Sequence, residues 1–263
     1  MSNQSEKKTS LKIFVALIAV LAALSAASVF LPQGSFVPTQ ELPAPKPIVA
    51  LVTAVGVLIL YGGLGFLGMR LSAKVGFPDL WTDSVTTKQR LIIPGLAGIA
   101  VGVFFIVTDA LLSRFHAPLP HPPFPTSLVA SGIAGIGEEV IFRLFLVSFW
   151  VWAVSLVIKG DRWRNQIFWI AAFVSALAFA FAHLPSLMFL YGWKTMGEVP
   201  AVILAELIVL NGVLSLVAAH YFRKYGFLAA VSVHFWVDVV WHVIWGGILT
   251  AASAAVQGGA CPY

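Results

Sequence analysis

The sequence predicts an all-α fold, a polytopic transmembrane helix bundle of about seven spans. Two observations carry that prediction. Of 263 residues, 59% are hydrophobic and only 10% are charged, whereas soluble domains carry about 25% charged residues. The apolar residues also gather in runs of about 20, the length a helix needs to cross a bilayer. Those runs fill nearly the whole chain, and the mean hydropathy is +0.93. One membrane domain with no attached soluble module follows. A net charge of +5 suits contact with anionic headgroups. Nucleic acid is excluded as a partner because the basic residues sit in short loops and form no continuous face.

Seven segments meet the length criterion, roughly 11–31, 48–69, 91–112, 127–150, 167–190, 200–222 and 226–250. The first follows Lys7 and Lys8 and ends near Ser25-Ala26-Ala27-Ser28, as a signal peptide would. Its apolar stretch exceeds the roughly 7–15 residues of a signal core, so it reads as an uncleaved anchor. With the N-terminus inside, the cytoplasmic side holds Lys7, Lys8, Lys12, Arg70, Lys74, Lys88, Arg90, Lys159, Arg162, Arg164, Arg223 and Lys224. The other side holds only Lys46, Arg114 and Lys194. That asymmetry supports both the orientation and the number of spans. Pro38, Pro43, Pro45, Pro47 and the prolines between Pro118 and Pro125 predict extended outer loops. Trp150, Trp152, Trp163 and Trp169 bracket the 151–166 connection and suit an interfacial belt. Cys261 is the single cysteine, so no intrachain disulfide can form. It lies third from the end, where a prenylation box needs the fourth position, so the chain is not expected to be a prenyl acceptor itself.

The ionisable residues inside the spans are the candidates for function. They include Asp109, Glu138, Glu139, Arg143, His183, Glu206, His234, Asp238 and His242. A charge near the bilayer centre costs about 2.5–3.5 kcal/mol on insertion scales, so such residues face the bundle interior and serve function. The densest stretch is Gly137-Glu138-Glu139-Val140-Ile141-Phe142-Arg143. Glu139 and Arg143 are four apart and share a helix face, with the acid first, the favoured order. Glu138 points about 100° away, which leaves it free to act as a general base. A structural ion pair alone would account for Glu139 and Arg143, but not for the second glutamate. His183 lies in Phe179-Ala180-Phe181-Ala182-His183-Leu184-Pro185. A lone histidine there is also an ordinary core residue, although Pro185 frees backbone carbonyls and opens the helix locally. His234 and Asp238 form another i, i+4 pair, and His242 continues the face. There the carboxylate either fixes the histidine tautomer or joins it in facing a ligand; a helix-to-helix hydrogen bond would also explain the pair.

Three patterns thus stand in order: Glu-Glu-x-x-x-Arg at 138–143, Phe-x-x-x-His at 179–183 and His-x-x-x-Asp at 234–238. Together they resemble the CAAX protease and bacteriocin-processing family of intramembrane proteases, over about residues 125–245. The resemblance implies that Glu138 activates water with help from His183, while Glu139 and Arg143 hold the site in shape. It implies that His234 and position 238 stabilise the oxyanion, a term worth about 2.7–4 kcal/mol per donor. It also divides the chain into a cytoplasmic tail (1–10), spans without a recognised motif (11–124), a catalytic membrane core (125–250) and a C-terminal tail (251–263). The implied partners are the lipid bilayer and a membrane-associated peptide or protein substrate.

One departure matters. Where the family often carries Asn, this chain has Asp238, and an ionised Asp cannot donate a hydrogen bond. Asp238 must therefore be protonated, orient His234, or bind a metal. Glu138, His183, His234 and Asp238 form a plausible zinc set, although His-Glu-x-x-His is absent. Depth poses a second difficulty, because uniform spans put His234 in the cytoplasmic third and His183 near the outer end. The competing readings are a transporter or proton relay extended by Asp109, Glu206 and Asn211, and an inactive immunity or scaffold relative. No internal repeat supports the transporter.

Overall fold

The computed structural model describes residues 4–34, 42–116 and 118–251. Pro38, the C-terminal tail beyond 251 with its Cys261, and residues 1–3 of the N-terminal tail lie outside them. Among the described residues there is no strand, and seven helices are long and apolar enough to cross a membrane. They are α1 (Gln4–Ser28), α2 (Lys46–Lys74), α3 (Lys88–Leu112), α4 (Thr126–Val157), α5 (Asp161–Tyr191), α6 (Ala201–Tyr225) and α7 (Phe227–Ala251). Each overlaps one expected segment. Pro43 and Pro45 stand outside the helices as expected, and so does the described part of the 118–125 connection. Pro47 differs: it lies in the first turn of α2, where a missing N–H costs nothing.

α7 is the central helix and α2 the most peripheral, with 56% and 11% of their most apolar stretches buried. Small residues let neighbours close on α7. A Cβ on Gly98 of α3 would strike the Val233 carbonyl, and one on Gly102 would lie 2.6 Å from Val240 Cβ. On α4, a Cβ on Gly135 would come within 3.2 Å of the Phe235 backbone. Close backbone approach of this kind supplies the dispersion contacts that hold helices together where lipid offers no hydrophobic gradient.

The start of α7 is recessed, and this resolves the depth difficulty. Gly226 alone joins α6 to α7, with φ +88, and Phe227 is buried. The 75–87 connection folds beneath it. A Cβ on Gly226 would meet the Asp79 carbonyl at 2.9 Å, and Phe77 stacks edge-on against Phe168 and Phe222. His234 is seven residues from the start of α7, about 10 Å, while His183 is 22 residues from the start of α5, about 33 Å. Uniform spans would separate these residues. α5 instead runs on past the start of α7, and the two imidazoles meet at one level.

The helices also depart from regular α geometry beside the candidate residues. Hydrogen bonding widens to π-helical turns over Val140–Val147 in α4 and Val239–Trp245 in α7, each starting directly after a carboxylate, Glu139 or Asp238. A third such turn opens α3 at Lys88–Ile92. Widened turns misdirect carbonyls, and hydroxyls on neighbouring helices serve two of them. Ser175 Oγ donates to the Phe142 carbonyl at 2.9 Å, and Ser232 Oγ to the Leu91 carbonyl at 2.8 Å. Turns of this type are frequent at functional sites.

Candidate active site

Glu138 sits where α4, α5 and α7 meet, and it is the point on which the other side chains converge. His183 Nε2 and His234 Nε2 each lie 3.7 Å from Glu138 Oε2, and Asp238 Oδ2 lies 3.7 Å from His234 Nε2. These separations exceed hydrogen-bond length, and a water lying beside the groups, within reach of each, would link them. Glu138 and His183 are part-exposed, at 30% and 34%, whereas His234 is at 2%. The group opens into a cavity of about 290 Å³. Leu187, Leu190, Leu207 and Leu210 wall it, Asn211 and His242 add polar edges, and Leu119, Pro120 and Pro122 cover it.

Each imidazole is held at its other nitrogen. His183 Nδ1 is 2.8 Å from the Phe179 carbonyl, one helical turn back, which it reaches as a donor. Pro185 does not supply this acceptor, since the carbonyl it strands is that of Phe181. His234 Nδ1 is 2.8 Å from Glu139 Oε1. The carboxylate that holds His234 Nδ1 is therefore Glu139 on α4, a role the sequence left open for Asp238 on α7. Nδ1 donates in both rings, so Nε2 of each faces Glu138.

Glu139 has a second partner. Arg143 Nε is 3.2 Å from Glu139 Oε2, and both side chains are fully buried. The guanidinium lies over the Phe179 ring, 4.7 Å from its centroid. Phe179 also meets His183 and His234 edge-on, at 4.8 and 5.6 Å. This residue carried no role in the sequence reading. Its spacing to His183 was visible as a motif, but its contacts with Arg143 and His234 join three helices.

Asp109 and Glu206 stand apart from these four groups. Asp109 accepts from Leu119 N at 3.1 Å and from Trp245 Nε1 at 2.9 Å, and Glu206 pairs with His116 at 2.8 Å. His242 Nδ1 is 3.1 Å from His121 Nδ1. Three of these contacts, at Leu119, His116 and His121, dock the connection between α3 and α4 over the cavity, and the fourth ties α3 to α7. His121, in that connection, is pushed down to about 4, chiefly by burial, with the Asp109 charge pulling the other way.

A zinc ion would need donors about 2.0–2.2 Å from one point. Among the described residues, no three His, Cys, Asp or Glu side chains are grouped in that way. As placed, Glu138, His183, His234 and Asp238 do not close on a common centre.

Residues 120–240 match the family model described as type II CAAX prenyl endopeptidase Rce1-like. None of the curated proteins and none of the solved structures gives a match. The matched segment takes in α4, α5, α6 and the first half of α7, and it holds Glu138, Glu139, Arg143, His183, His234 and Asp238. Over that segment the chain is similar to the CAAX protease family of membrane endopeptidases.

Proposed function

We propose that the chain hydrolyses a peptide bond of a membrane-associated or lipidated peptide by water activated at Glu138. The observation that carries this reading is the convergence of His183 Nε2 and His234 Nε2 on Glu138 Oε2, each at 3.7 Å, at the wall of a cavity. A water among these groups donates one proton to Glu138 and is steadied by His183 Nε2. Its oxygen attacks the scissile carbonyl carbon, and the carbonyl oxygen becomes the oxyanion. His234, gripped at Nδ1 by Glu139, donates from a protonated Nε2 to that oxyanion, and a protonated Asp238 carboxyl does the same from α7. The C–N bond then breaks, and the proton held by Glu138 passes to the departing amine.

In this reading the N-terminus is cytoplasmic and residues 125–250 form the catalytic core. The leucine-rich wall takes the apolar part of the substrate. The family match favours this function over a transporter or an inactive relative, and Asp109 and Glu206, the carboxylates a relay would use, are occupied in docking the α3–α4 connection.

The test is turnover of a prenylated CaaX peptide by the purified chain in lipid vesicles, alongside Glu138→Gln. The substitution keeps shape and removes the base, so the rate should fall at least a hundredfold, within the range of about 10²–10⁴ for general-base catalysis. Melting should be unchanged. Elemental analysis of both proteins accompanies the assay. About one zinc per chain, lost in a His234→Ala variant, would move the mechanism to metal-bound water.

A further inference from the structure

The basic end of the bundle carries a second cavity, of about 690 Å³, that shares no lining residue with the first. It lies between the end of α2, the end of α4, the start of α5 and the end of α6. Lys74, Lys159, Arg164 and Arg223 line it, and Asp161 is the only acid among the lining residues. Asp161 is spent on Arg164, whose Nη1 is 3.3 Å away, while Arg164 Nη2 donates to the Val75 carbonyl at 3.1 Å. Arg223 lies over Phe168 and donates to Asn165, a neutral group, and Lys74 stands 5.4 Å from the Trp152 ring centroid. Lys74, Lys159 and Arg223 therefore line this recess with no carboxylate partner among the described residues.

The recess continues into a second surface. Ile158 and Ile167 line both it and an adjoining groove of about 470 Å³ whose walls are almost wholly apolar. That groove runs between α4 and α5 along Val154, Ile170 and Val174, with Trp150 and Trp163 at its rim. Tryptophans of this kind mark the headgroup level of a bilayer. A cationic pocket at that level, opening on an apolar channel toward the membrane interior, has the polarity profile of an anionic amphiphile. Basic pockets between transmembrane helices take acidic lipid headgroups by charge.

We propose that this recess binds an anionic phospholipid, with its phosphate held by Lys74, Lys159 and Arg223 and one acyl chain laid along Ile170 and Val174. A soluble phosphate shares the headgroup chemistry but makes no use of the groove. The bound lipid ties α2, α4, α5 and α6 together at the end of the bundle where α7 is recessed.

Native mass spectrometry of the full chain in neutral detergent tests this, with phosphatidylglycerol, phosphatidylcholine and inorganic phosphate as separate probes. Phosphatidylglycerol should bind at least about tenfold tighter than phosphatidylcholine. Lys74→Gln with Lys159→Gln should weaken phosphatidylglycerol about thirtyfold, as expected for two basic groups near an anionic surface. Both lysines are exposed, so the melting temperature without lipid should stay that of the parent. Val174→Trp, which fills the groove, should weaken phosphatidylglycerol and leave inorganic phosphate unchanged. Equal binding of the two lipids, or unchanged phosphatidylglycerol binding in the double variant, would overturn the proposal. So would inorganic phosphate that competes as well as the lipid, since the recess would then be a free-anion site.

Discussion

His234 is held on one side by Glu139 and open on the other, and most of the site's chemistry follows from that. Glu139 accepts from His234 Nδ1 and pairs with Arg143 through its second oxygen. Removing Arg143 would leave Glu139 buried with a single partner and would strip the cation from Phe179. Breaking a buried pair from one side costs about 3–5 kcal/mol, so Arg143→Ala should lower the melting temperature in detergent by many degrees. A melting point equal to the parent's would show that the pair contributes nothing. Asp238 makes the opposite prediction. Since Glu139 already orients His234, Asp238 is left to donate a hydrogen bond, and Asn can do that. Asp238→Asn should keep turnover within about tenfold and shift its pH dependence, because the amide does not titrate. A loss as large as that of Glu138→Gln, accompanied by lost metal, would make Asp238 a ligand. The sequence named these residues and paired Glu139 with Arg143 through their spacing. It could not pair Glu139 with His234, because the two are 95 residues apart and only α4–α7 packing joins them.

The elements position the site through close approach more than through bulk. Gly95, Gly98 and Gly102 line the face of α3 that meets α7, and side-chain or backbone atoms of α7 occupy the space a Cβ would take. Since α7 carries His234 and Asp238, a shift there moves two of the four facing groups. Gly98→Val should cost about 1–3 kcal/mol from overpacking, and turnover should fall more steeply than stability. Thermal melting and peptide cleavage on the same preparation separate the two effects. Hydrophobic run length made the seven spans legible, since backbone groups in lipid must be satisfied within the helix. The π-helical turns after Glu139 and Asp238 were not legible. Their sequences are ordinary apolar helix, and the widening depends on what neighbouring helices, such as α5 through Ser175, can satisfy.

On the scale of the whole molecule, the connection between α3 and α4 covers the cavity with Leu119, Pro120 and Pro122. It is docked by Asp109, Glu206 and His242, three residues on three different helices. His121 within it is held near 4 by burial, below its ordinary value of about 6.5. The unfolded or undocked chain binds the proton more readily, so stability from this group is complete above about pH 6.5. It is lost progressively as the pH falls toward 4. Hydrogen exchange of amides 113–125 should therefore accelerate across that window, and His121→Phe should flatten the response. An acceleration that persists unchanged in the variant would assign the effect to another group.

The sequence by itself determined the membrane class, the seven spans and the seven residues of the three motifs. Those features are written in run length and local spacing, which need no tertiary contact to be read. Only the tertiary structure decided which partner each residue has. It set Glu139 against His234, placed Phe179 beneath Arg143 and recessed α7 so that His183 and His234 share one depth. These are long-range matters settled by which helix backbones can approach, and glycine faces and buried connections fix that approach only once all the helices are packed together.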